Sequence, residues 1–400
     1  MMDRFYLHPV WAYAFRPFFL LAAGYAIAII PIWLFVLFGG IDPLPWTSPG
    51  LWHAHEMVYG FMVAALAGFI LTALPSWTET VPLCGRGLIL LVGLWLAGRG
   101  VMIFAALLPI ELVAVVNLAF LPVLCGLVMR AMMAARMRRH TGFVWAIGGL
   151  FLAQVVFFAG GFVKGGFFGD AGWGETGLRS ALLLMMVLIV LSTTRIAMVV
   201  VNFALEQDGR DPIFRPAPPR RNLANFVVLL YLAVDGIFPS HAVGGWIALA
   251  AAAAQLDVLS DFHVGRVLRR PYVLGLYLGH GWIAVGFAGI GISAIWGLGP
   301  GTDFLHGLGI GAAGSAILTV MGIAGLRHSG RELRFSAGLC AALVLINLSA
   351  VLRVGGSYIG FIPYDLMIGG ASALWILAFV LYLVVFTRKL LSVRADGKPG

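Results

Sequence analysis

Six consecutive residues, Trp52-His53-Ala54-His55-Glu56-Met57, gather two imidazoles and a carboxylate within four positions. Imidazole is the commonest side-chain ligand of copper, zinc and haem iron, so the cluster is a candidate metal site. Residues two apart on a regular helix point about 200° from one another. His53 and His55 can therefore chelate one ion only if the first stands outside the helix; otherwise one serves a site and the other faces the surroundings. Glu56 can act as a ligand, as a proton carrier, or as an acid on the helix dipole.

Three further histidines join the candidates. His306 and His280 lie at the start of and within later apolar stretches, and His328 sits in the basic run Arg327-His328-Ser329-Gly330-Arg331. Haem iron takes one or two axial ligands from facing helices, which makes His280 and His328 a candidate pair. The plainer reading of each is an imidazole bonded to a neighbouring helix or to interfacial water. Arg16 and Arg99, with Arg195 and Arg353, can pair with carboxylates such as haem propionates; the plainer reading is a snorkelling side chain. The three cysteines, Cys84, Cys125 and Cys340, are too scattered for a disulfide framework or a thiolate site. No phosphate-binding glycine loop, nucleophile elbow or HExxH helix is present.

The elements that position these residues must cross a bilayer. Of 400 residues, 61% are hydrophobic and 11% charged, with mean hydropathy +0.98. A soluble domain carries about a quarter charged residues, so this chain lacks the polar surface to cover a soluble globule. Twelve apolar stretches near spanning length run from 18–38 to 364–387. The second covers about 57–75, the seventh 223–238, the ninth 272–297 and the tenth 304–326. The spacing predicts an all-α polytopic helix bundle of about twelve transmembrane helices, with the His-His-Glu cluster where the first outer loop meets the second span.

Charge supplies the orientation. With both termini cytoplasmic, 21 of the 26 Lys and Arg fall on the cytoplasmic side and three on the other, the bias expected of an inner-membrane protein. The net charge of +9 thus reads as topology anchoring and not as nucleic-acid binding. The whole of 1–400 reads as one integral membrane domain, with halves 1–204 and 223–400 joined by the polar loop 205–222. Many secondary transporters divide in this way. No internal repeat is convincing: the second and tenth spans both begin near His and contain Ile-Leu-Thr, but the spacings from His disagree.

Two strings in order, Tyr13-Ala14-Phe15-Arg16-Pro17-Phe18-Phe19 and Leu51-Trp52-His53-Ala54-His55-Glu56-Met57-Val58-Tyr59-Gly60-Phe61, resemble the signature of the NnrS family. Leu94-Trp95-Leu96-Ala97-Gly98-Arg99, Leu278-Gly279-His280-Gly281-Trp282, Leu305-His306 and His328-Ser329-Gly330-Arg331 extend the resemblance over nearly the whole chain. It departs at Thr194-Arg195-Ile196-Ala197-Met198, where the family usually carries Pro, and at Thr319-Val320-Met321-Gly322, where an Arg is expected. The resemblance implies a bacterial inner-membrane protein holding haem b and copper and acting in nitric oxide metabolism or relief of nitrosative stress. It implies metal ligation by His53, His55, His280, His306 and His328, with nitric oxide as the small-molecule ligand. It leaves open whether the chain is a metal-dependent oxidoreductase. A secondary transporter of a small solute and an assembly factor for a respiratory metalloenzyme are the alternatives.

Overall fold

A computed structural model describes residues 8–40, 42–135, 141–162, 169–239, 241–358 and 362–398, and every regular element among them is helical. Among the described residues eleven helices are long and apolar enough to cross a membrane, one fewer than the twelve expected. The difference falls at the seventh stretch. A helix forms there, Pro218–Ile237, but Arg220, Arg221 and Asp235 lie within its 20 residues and weaken it as a lipid-soluble span.

The chain forms two compact units. The first comprises Met1–Ala181, Ala324–Leu333 and Leu383–Gly400. Its helix α1, Phe15–Gly39, stops at Gly40, whose φ of 64° places it in the left-handed region. The next span is broken into three pieces: α2, Pro49–His55; a π-helical segment, Glu56–Met62; and α3, Val63–Thr78. It starts eight residues earlier than the hydropathy suggested. Pro49, following Ser48, has the fixed φ that suits a first helical position and needs no hydrogen-bond partner for a missing N–H. Both His53 and His55 therefore lie inside the helix, which corrects their expected placement at its mouth. Helix α4, Gly85–Ile103, and the pair α5, Ile110–Leu118, and α6, Phe120–Ala134, follow, then α7, Thr141–Phe162.

Helix α8, Gly169–Gln207, leads into the second unit, Leu182–Ile323 with Arg334–Tyr382. Helix α9 is Pro218–Ile237 and α10 is Ala242–Ser260. Helix α11, Pro271–Trp296, begins on Arg270-Pro271 and ends at Gly297, φ 67°. A second broken span follows: α12, Gly301–His306; a π-helical segment, Gly307–Gly314; and α13, Ser315–His328. Helices α14, Ala337–Gly355, and α15, Tyr364–Leu391, complete the chain.

The two broken spans are the most enclosed. Their most apolar windows are 83% and 78% buried, against 33% for α1 and for α15. Lipid tails are as apolar as leucine, so helices here associate through close packing and interhelical hydrogen bonds. In the second unit α10 and α11 meet through glycines: a Cβ on Gly291 would lie 2.7 Å from the Gly245 carbonyl oxygen. π-Helical insertions in an α-helix concentrate at functional positions, and both of these follow directly on a candidate histidine.

Candidate functional site

In the first unit the break of the second span carries a buried polar network. His55 and Glu56 are both 0% exposed. His55 Nδ1–H donates to Glu56 Oε1 at 2.8 Å, since a carboxylate oxygen can only accept. Arg99 Nη1, from α4, donates to the same oxygen at 2.5 Å. Tyr25 O–H, from α1, donates to Oε2. Its ring can reach there because the residue beneath is Gly60: a Cβ at that position would lie 2.3 Å from Tyr25 Cε1. All three neighbours are donors and suit the carboxylate form, and the guanidinium balances its charge. Arg99 Nη2 donates to Asn117 Oδ1 at 2.7 Å, and Asn117 Nδ2 to the Val113 carbonyl at 2.8 Å.

With its proton on Nδ1, His55 presents a lone pair on Nε2. Gln154 Nε2 faces that atom at 3.3 Å. The His55 ring stacks on Phe157, centroids 4.8 Å apart, and meets Phe158 edge-on. Next to the network a cavity of about 10 Å³, room for about one water, is lined by Tyr59, Trp95, Arg99, Asn117 and Gln154 among others.

His53 does not join this network. It stacks on Trp33 with centroids 4.4 Å apart and planes 16° from parallel. Helical spacing sends the two imidazoles to different faces, as the sequence reading required of a regular helix. Arg16 is buried at the start of α1 and Nη1 donates to the Leu390 and Ser392 carbonyls at 2.8 and 2.6 Å. It thus satisfies carbonyls at the C-terminal end of α15, which have no helical partner. His328 packs its ring against Phe15, centroids 5.6 Å apart, and its carbonyl accepts from Arg394.

In the second unit His280 is 0% exposed. Its Nδ1 faces Gln255 Oε1, on α10, at 3.4 Å, and its Nε2 faces Thr193 Oγ1, on α8, at 2.9 Å. Thr193 Oγ1 gives its one proton to the Ile189 carbonyl at 2.6 Å, so the imidazole donates from Nε2 to Thr193 and Nδ1 carries the lone pair, which the Gln255 amide meets with its nitrogen once turned over. His306 ends α12, and its Nδ1–H donates to the Thr302 carbonyl at 3.0 Å. One turn away Asp303 pairs with Arg353, on α14, Oδ1 to Nη1 at 2.9 Å, with both residues buried.

Among the described residues no three His, Cys, Asp or Glu side chains gather as a ligand set. What the donor chemistry offers is single imidazoles. A metal-bound histidine commonly donates its other N–H to a carboxylate or carbonyl, which fixes the tautomer and raises ligand basicity. His55 has this arrangement, with Gln154 now facing the lone pair; His280 instead donates to the Thr193 hydroxyl and keeps its lone pair on Nδ1, beside Gln255. That fits one or two axial ligands to haem iron, or a low-coordinate copper, better than a multi-histidine chelate.

Sequence reasoning missed Tyr25, Asn117, Gln154, Thr193 and Gln255. The two glutamines carried a usable signal, being polar side chains inside apolar spans. Among known proteins, the family model described as NnrS protein matches residues 9–394. No curated protein matches the chain.

Proposed function

Since the chain belongs to the NnrS family, a family linked to nitric oxide, we propose that it is a haem- and copper-binding protein of the bacterial inner membrane acting in nitric oxide metabolism or relief of nitrosative stress. It is a multi-pass membrane protein. The observation that carries the reading is His55: a fully buried imidazole whose Nδ1–H is held by a carboxylate, with Nε2 left as a lone pair.

His55 and His280 are the proposed ligands. The bound metal would supply one-electron chemistry that no side chain provides. Glu56 keeps the His55 tautomer fixed and Arg99 balances the charge on Glu56. Phe157 and Phe158 close the ring off from water. His306 offers the same lone pair in a half-buried setting. His53, stacked on Trp33, and His328, tilted against Phe15, have weaker support from their surroundings.

The test is a reduced-minus-oxidised optical spectrum of the detergent-purified protein, with iron and copper analysis. A haem band with stoichiometric metal is expected, lost or halved in His280→Ala or His55→Ala. Glu56→Gln combined with Arg99→Met, which removes both charges of the buried pair, should keep the metal but shift its band or potential, because the hydrogen bond to the ligand is weakened. Colourless, metal-free protein from cells replete in haem and copper would count against the reading.

One observation favours a second reading. The two most enclosed spans each carry a π-helical segment within a continuous helix, an irregularity concentrated at functional positions that suits a solute path as well as a metal. Metal-free protein that moves a solute into vesicles would put transport first.

A further inference from the structure

The two interrupted spans agree in more than their breaks. Each follows a helix that starts on Arg-Pro: Arg16-Pro17 for α1 and Arg270-Pro271 for α11. Each opens with a short helix ending on His, seven residues to His55 and six to His306. Each continues as a π segment, of seven and eight residues, before returning to α-helix. Each carries a buried carboxylate close to its histidine, one residue after His55 and three residues before His306, paired with a buried arginine near the end of the next helix: Glu56 with Arg99, and Asp303 with Arg353.

These pairs explain why the repeat is hard to see in the sequence. Counted from His55 and His306, the Ile-Leu-Thr strings fall out of register. Counted from the carboxylates they align, because Thr72 lies 16 residues after Glu56 and Thr319 lies 16 residues after Asp303. Both threonines pack on the early part of the helix before the break. Thr72 Oγ1 accepts from the Phe15 N–H at 3.0 Å, and Thr319 Oγ1 fills the place where a Cβ on Gly275 would stand.

Charge repeats as well. The chain at the start of the first helix and the chain from the end of the second span to the next helix's first turn are basic in both, with Arg16 and Arg86 in one and Arg266, Arg269, Arg270, Arg327, Arg331 and Arg334 in the other. The stretches 40–48, 104–109, 297–300 and 356–363 hold no Lys or Arg. By the positive-inside bias the corresponding loops face the same side.

We propose that residues 15–134 and 271–391 are two copies of one four-helix unit in direct repeat, and that Asp303, His306 and Arg353 are the second copy's counterpart of the Glu56, His55 and Arg99 site. Direct repetition requires an even number of crossings between the copies, so α9 crosses the membrane despite Arg220, Arg221 and Asp235. The copies have diverged at the carboxylate. Both oxygens of Glu56 are held, by Tyr25 and by His55 with Arg99, whereas Asp303 pairs with Arg353 through Oδ1 and its Oδ2 is buried without a hydrogen-bond partner. The second site therefore presents a carboxylate oxygen and the His306 Nε2 as acceptors, and the ligand it would take is a Lewis acid or a hydrogen-bond donor.

Single cysteines at Pro45 and at Leu298, in a chain with Cys84, Cys125 and Cys340 replaced by alanine, test the arrangement. A membrane-impermeant maleimide added to right-side-out and to inverted vesicles should label Pro45→Cys and Leu298→Cys from the same side. Labelling from opposite sides would overturn direct repetition. The equivalence of the pairs has its own readout. Arg353→Met should lower the yield of folded protein, as is expected of Arg99→Met, and Asp303→Asn with Arg353→Met should restore it. An Arg353→Met protein as stable as the parent would overturn the equivalence. Zinc ion, used as the Lewis-acid probe, should protect His306 from diethyl pyrocarbonate in a His55→Ala background. Unchanged reactivity with zinc would remove the second site as a ligand position.

Discussion

Arg99→Met is expected to unfold at a lower temperature, with a loss of about 3–5 kcal/mol, the usual penalty for leaving one member of a buried ion pair alone. Glu56 is 0% exposed, and Arg99 is the only fully charged donor among its three partners. Tyr25 and His55 would remain, but neither neutralises the carboxylate unless the imidazole takes a second proton. Asn117 Oδ1 would also lose the Nη2 bond. The double variant Glu56→Gln with Arg99→Met should recover most of the loss, since removing both charges of a buried pair is often close to neutral. Arg99→Lys should fall between, keeping the charge but losing the two-pronged reach to Glu56 and Asn117. Thermal unfolding in detergent, followed by the fraction surviving gel filtration, measures all three. An Arg99→Met protein with an unchanged midpoint would show that the pair does not hold the break in place.

Gly291→Val should be nearly as damaging, by a different cause. A side chain there meets the Gly245 carbonyl oxygen at 2.7 Å and Leu249 Cγ at 2.8 Å. A backbone carbonyl cannot swing aside, so α10 and α11 must separate. Overpacking of this kind costs roughly 1–3 kcal/mol. The same separation pulls Gln255 on α10 away from His280 on α11, so the metal content expected under the proposed function should fall along with stability. Gly281→Ala on the same helix is the control. A Cβ at Gly281 meets nothing within 4 Å, and exchanging Gly for Ala inside a helix favours the helix by about 1 kcal/mol. Equal midpoints for the two variants would mean that the close approach of the helices contributes nothing.

Much of the architecture was legible because membrane insertion depends on local quantities. The excess of apolar residues identified the spans, and the strings around Arg16, His55, Arg99 and His280 carried the family resemblance. His280 was singled out as an ionisable group inside an apolar segment, and it is buried. Hydropathy was less able to locate ends. It began the second span at 57 because Trp52-His53-Ala54-His55-Glu56 is not apolar enough, while the polypeptide begins its helix at Pro49 on local backbone geometry. It also counted a span over 223–238, where the helix starts at Pro218 and takes in two arginines.

The amino-acid sequence by itself determined the solvent this protein lives in, its helical class, its family and the placing of His280 inside a span. Each of these follows from composition, periodicity or contiguous strings. Only the tertiary structure decided which groups meet. Glu56 and Arg99 are 43 residues apart, His55 and Gln154 99, and Thr193 and His280 87. No local pattern encodes such pairs, because they depend on which helices are neighbours and how each is rotated. The internal correspondence was hidden for the same reason. Its landmarks are two ion pairs between separate helices, and a partnership of that kind has no spacing in the sequence until the helices are packed.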